Sequence, residues 1–166
     1  MRNLLLTALL LSPLFGQACS FAPGYDRFKP SIATFEPRLD GDFDALLPPP
    51  AVSRIQVTRG TASPGLSCDD AGTLTLDLTW PKTSVYRLSE VGFYFRVLNG
   101  KGPDRIFPLQ PVSGKIDGQK TRFFFVWLDG QPSSQRPLSL DVEVFAVNKG
   151  LEIGASRRFR ITDEMR

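Results

Sequence analysis

The chain has 166 residues, with 20 lysines and arginines against 17 aspartates and glutamates, and no histidine. Its 42% hydrophobic content is that of a globular protein rather than a disordered or fibrous one. Without histidine, Ser-His-Asp, Cys-His and histidine-metal chemistry are all excluded.

Residues 1–18 form a predicted export signal. Arg2 precedes an apolar run from Leu4 to Phe15 with seven leucines, and Gly16 and Ala18 stand at −3 and −1 before Cys19. Twelve helical residues would span about 18 Å, short of the roughly 30 Å bilayer core. Removing these 18 residues takes Arg2 with them and leaves 19 basic against 17 acidic side chains. So slight a surplus gives no ground for nucleic-acid binding.

The stretch Leu14-Phe15-Gly16-Gln17-Ala18-Cys19 resembles the lipobox of bacterial lipoproteins. The position of Cys19 and the residue before it fit; Gly16 and Gln17 depart from the family's preferences. The resemblance implies lipidation at Cys19, a membrane anchor and an envelope location, with Ser20 matching outer-membrane sorting. The competing reading is a soluble secreted protein. Cys68 is the one other cysteine, and a Cys19–Cys68 disulfide would contribute on the order of 4 kcal/mol through loop entropy.

Residues 19–50 read as a proline-rich lead, with Pro23, Pro30, Pro37, Pro48, Pro49 and Pro50 breaking any helix or central strand. It is either an extended tether or, given Phe21, Tyr25, Phe28, Phe35 and Phe43, a segment packed along the following domain. Asp40, Asp42 and Asp44 have calcium-loop spacing, but Ala45 and Ala51 leave the loop incomplete, so a solvated spacer is expected and no metal site. Asp69 and Asp70 read as a turn.

From Ala51 the period becomes two. Predicted strands cover Val52–Arg59, Thr73–Trp80, Val91–Leu98, Leu138–Val147 and Ser156–Thr162, and the apolar run from Phe123 to Leu128 reads as a strand with two apolar faces. Asn99-Gly100, Asp117-Gly118, Asp129-Gly130 and Asn148-Lys149-Gly150 supply turn signals. The fold class is all-β. About seven short strands over residues 51–163 suggest one antiparallel two-sheet sandwich.

The Pro48–Pro50 lead-in, Trp80 closing a strand, Gly92–Val97, and Leu140–Asn148 followed by Gly150 and Ser156 resemble a fibronectin type III-like domain, with an immunoglobulin-like relative as the nearest alternative. Leu140 stands where that family often has tyrosine, so the resemblance implies no tyrosine corner.

Trp80, in register with Leu74, Leu76 and Leu78, is expected in the core. Phe124, Val126 and Leu128 occupy the second apolar face of their strand. Either the aromatic lead covers them or they form a partner surface. Arg157, Arg158 and Arg160, extended by Arg96 or Arg122, form a basic stripe suited to an anionic partner or to protecting a strand edge. No phosphate loop, metal-ligand spacing or nucleophile elbow appears, so neither catalysis nor a cofactor is expected. The expectation is a non-catalytic binding or scaffolding domain in the envelope, with a protein or polysaccharide partner. The alternatives are a secreted inhibitor or neutralising protein and a carbohydrate-binding module.

Overall fold

A computed structural model describes residues 22–36, 47–61 and 70–163. Cys19, Cys68, Asp69 and the Asp40–Asp44 stretch therefore lie outside the described residues.

The fold is all-β. Eight strands follow in order: β1 (Tyr25–Arg27), β2 (Ala51–Thr58), β3 (Ala71–Thr79), β4 (Val91–Lys101), β5 (Val112–Asp117), β6 (Lys120–Leu128), β7 (Ser139–Asn148) and β8 (Ile153–Thr162). All pairings are antiparallel, and the sheet runs β2-β3-β6-β5-β4-β7-β8 with β1 beside β5. The two outer strands return towards each other. The Ala155 amide donates to the Leu47 carbonyl at 3.0 Å, just ahead of β2, so the sheet nearly closes into a barrel.

Alternation produces this arrangement directly. Leu74, Leu76 and Leu78 of β3 are fully buried, as are Val142, Val144 and Ala146 of β7, with polar or half-buried neighbours between most of them. Trp80 is core, and its indole N–H donates to the Tyr86 carbonyl at 2.8 Å. Aromatic rings join the two halves of the sheet across the interior. Phe93 and Phe95 of β4 meet Phe123 edge-on at 5.7 and 5.1 Å, and Phe95 meets Phe125 at 5.3 Å. Such pairs add about 0.5–1.5 kcal/mol beyond the area they bury.

Two elements differ from the sequence expectation. Asn99-Gly100 does not end β4 in a hairpin turn. A register shift between Val97 and Asn99 leaves Leu98 as the extra residue, and Gly100, at φ 121°, continues the strand opposite Leu140. β5 also divides its partners. Lys115, Ile116 and Asp117 pair with β6, whereas Val112 meets Phe93 of β4 and Val112 to Gly114 take β1.

The described parts of the lead pack on the domain. The Gly24 amide donates to the Phe124 carbonyl at 2.9 Å, and the Phe28 amide to the Pro111 carbonyl at 2.9 Å. β1 thus lies in the cleft where β5 and β6 part. Phe28 is only 5% exposed and its ring lies on Gly92, where an added Cβ would come within 2.4 Å of it. Leu47, wholly buried, sits against Gly154 in the same way. Prolines keep this segment from α-helix, leaving one 3-10 turn at Ile32–Thr34, and its apolar residues find seats where glycines leave room.

One end of the sheet is tied by charge. Arg59, after β2, makes a two-point contact with Asp129 at 2.8 Å for each bond, pairs with Asp163 beyond β8, and donates to the Arg136 carbonyl at 2.9 Å. Asp129, whose side chain is 4% exposed, also accepts from the Gly60 amide and the Trp127 indole. Burial alone would raise the Asp129 pKa; the hydrogen bonds from Arg59, Gly60 and Trp127 together outweigh it and hold the carboxyl below its usual range.

Candidate functional site

Register decides which side chains share the outer surface of β4, β7 and β8. Arg96, Glu143 and Arg158 lie in one row, Asp141 and Arg160 in another, and Tyr94 stands opposite Phe145. The buried Glu143 carboxylate accepts both Nε, at 3.1 Å, and Nη2 of Arg96, and Arg158 approaches its other oxygen at 3.7 Å. Hydrogen bonding from Arg96, then from Ser156, lowers the Glu143 pKa against the opposing effect of burial. Arg160 holds Asp141 with two bonds, at 2.8 and 3.2 Å, which likewise lowers that carboxyl's pKa. The Tyr94 and Phe145 rings lie 5.4 Å apart and 31° from parallel, with the Arg96 guanidinium 5.9 Å over Phe145.

These rows border a groove of about 460 Å³ beside β4. One wall is Tyr94 to Val97 of the strand. The other is the connection to β5, which brings Arg105, Ile106, Phe107 and Leu109. Phe107 anchors the connection by stacking on Phe95 at 5.2 Å, while Leu109 is 88% exposed at the rim. The charged side chains lining the groove are Arg96 and Arg105. Arg105 has φ 57°, a left-handed conformation uncommon outside glycine, asparagine and aspartate. An arginine-bearing, aromatic and apolar groove suits a ligand that is apolar along its length and anionic at points.

The predicted partner residues divide between two surfaces. Arg158 and Arg160 lie on the outer face just described, tied to Glu143 and Asp141. Arg157 projects from the alternate face of β8, exposed, opposite Val144. Arg96 joins their row, but Arg122 lies across the molecule, held at 2.7 and 2.8 Å by Asp77 of β3. Phe124 is half-buried where the lead crosses it, Val126 is half-buried, and Leu128 stands 81% exposed. Trp127 points inward with Phe123 and Phe125, its ring on Gly72. Asp70 stands in a turn ahead of β3, and its carbonyl accepts from the Asp129 and Gly130 amides at 3.0 Å each. Among the described residues, no three acidic or cysteine side chains gather as a metal site.

Sequence reasoning missed Tyr94, Phe145 and Arg105 as a group. Tyr94 and Phe145 alternate with core residues on their own strands, which was the available signal. Arg105 sits in a connection with no periodicity. No protein family, curated protein or solved structure matches the chain.

Proposed function

We propose that the chain is an exported, lipid-anchored envelope protein whose fibronectin type III-like sandwich binds or scaffolds an envelope partner without catalysis. The anchor reading rests on Arg2, the Leu4–Phe15 run and Cys19 behind a small residue. Among the described residues, no helix is long and apolar enough to cross a membrane.

The sandwich reading is supported by the pairing. Strands β2-β3-β6 and β4-β7-β8 are two three-stranded groups, joined through the divided strand β5, with Phe93 and Phe95 facing Phe123 and Phe125 between them. The binding reading is carried by one observation: the aromatic and apolar groove beside β4, whose charged lining residues are both arginines. Asp77, Asp129 and Glu143 are each held ionised by an arginine, which suits strand ties better than proton transfer near neutral pH.

Metabolic labelling with a fatty-acid analogue, in cells making the natural chain or Cys19→Ala, tests the anchor. Label on the natural chain and none on the variant is expected; equal labelling refutes it. A mass gain of two hydrogens on reduction would instead establish the Cys19–Cys68 disulfide of the secreted alternative.

A further inference from the structure

We propose that the free edge of β4 takes up an extended polypeptide segment as an added strand, one whose apolar side chains alternate with acidic ones. The inference deepens the binding reading and is independent of the lipid at Cys19.

Strand β4 is eleven residues long and pairs with β7 along its whole length. Its opposite edge pairs with β5 at Phe93 alone, because β5 turns away to join β6. From Tyr94 to Lys101, no strand and no backbone hydrogen bond occupies that side among the described residues. An edge left this way presents alternate N–H and C=O groups ready to pair with another chain. The groove lies against this edge, between Tyr94–Val97 and the connection carrying Arg105 and Leu109. It borders four consecutive residues of β4, Tyr94–Val97, with the connection as its other wall.

The chemistry of the walls narrows the occupant. Val97 and Leu98 are about two-fifths exposed and Leu109 nearly wholly so, an apolar margin left open among the described residues. Among the described residues, no carboxylate lines the groove. Arg105 has no ion-pair partner among the described residues, and Arg96 shares the single Glu143 carboxylate with Arg158. A guanidinium at the rim therefore awaits an anion, and Arg can bind a carboxylate with two parallel bonds. A strand seated here sends successive side chains to opposite faces. One set would meet Tyr94, Phe145 and the arginines, and the other Pro108 and Leu109 of the connection. Backbone pairing supplies affinity and alternate pockets supply selectivity, as in other strand-addition complexes. Unpaired main-chain groups favour a polypeptide over a sugar or an acyl chain.

The test uses the full mature chain and a fluorescein-labelled six-residue peptide of alternating valine and glutamate. Saturable binding is expected, with slowed amide exchange at Tyr94–Val97. Methylating alternate peptide nitrogens, or replacing glutamate by lysine, should weaken binding at least about tenfold, each removing one class of bond. Arg105→Gly should weaken it about tenfold while leaving the circular dichroism unchanged, because glycine accepts the left-handed backbone without strain. Absence of binding, equal binding of the methylated peptide, or protection elsewhere on the protein overturns the proposal. So does protection of Tyr94–Val97 by anionic vesicles or oligosaccharide in place of the peptide. Failure here with Cys19 labelling intact retires the groove and leaves the anchored protein. Loss of labelling with peptide binding intact retires only the anchor.

Discussion

Two gaps in the same sheet have opposite fates. Where β5 parts from β6, the chain's own lead enters as β1, bonding to β5 along Val112–Gly114 and to the Phe124 carbonyl. Where β5 parts from β4, no described strand takes the edge beyond Phe93, and the connection through Pro103–Leu109 runs past it. One short strand, torn between two neighbours, creates both vacancies. The difference teaches that filling an edge needs more than proximity. The lead succeeds because Phe28 and Leu47 have glycine-lined seats, whereas Ile106 and Phe107 spend their apolar surface on the core and leave the β4 backbone unpaired.

If the filled gap carries stability and the open one is spare, substitutions on the two sides should separate cleanly. Phe28→Ala should cost about 3–5 kcal/mol in urea unfolding and expose Arg27 and Lys29 to trypsin in an otherwise folded chain. An unfolding midpoint unchanged from the natural chain would mean that the lead merely rests on the surface.

The remaining pair of edges, β2 and β8, is drawn together by Arg59. Arg59→Met leaves the Asp129 and Asp163 carboxylates buried with fewer donors and should cost about 3–4 kcal/mol. Adding Asp129→Asn should recover part of that loss, measurable as a non-additive double-mutant cycle.

Acid should act on both sides. Asp77, Asp129, Asp141 and Glu143 all titrate below their ordinary values, so the unfolded chain binds more protons than the folded one near pH 4. The stability they lend is complete above about pH 5 and disappears as pH falls through the lowered folded values. A urea midpoint that holds steady from pH 7 to 5 and then declines towards pH 3 is the expected record.

The smallest effect belongs to the open gap. Leu109→Ser and Arg105→Gly should each change stability by less than about 1 kcal/mol, since neither side chain anchors the core. A larger loss from either would mean that the connection seals β4 rather than leaving it available.

Six of the strands, β2 to β4 and β6 to β8, were legible from alternation or apolar runs, whereas β1 and β5 drew no reading. Leu74, Leu76 and Leu78 need no knowledge of any other strand to declare an inner face. Trp80 follows from the same register. What joined those strands was not legible. Arg59 meets Asp129 across 70 residues and Asp163 across 104, a distance over which no local pattern carries information. Asp129-Gly130 advertises a turn, but the two residues lie in irregular backbone after β6, and the aspartate is the hub of the buried ion cluster. Asn99-Gly100 misled for a related reason. A dipeptide suited to reversing the chain also suits a kink within a strand, and only the pairing with β7 decides between them. The groove depends on β5 changing neighbours halfway, which its six residues do not announce. Arg158 and Arg160 were visible as a stripe, but their carboxylate partners on β7 were visible only as polar alternation.

The buried lead also sets the reach of whatever precedes it. Four residues, Ser20 to Pro23, lie between Cys19 and Gly24, and the five steps from one to the other span no more than about 18 Å of fully stretched chain. With an acyl chain on Cys19, as proposed, the protein is on a short leash, and its body stands at the headgroup layer rather than far out on a flexible stalk. Any ligand of the β4 edge would then have to come to the membrane surface to be caught.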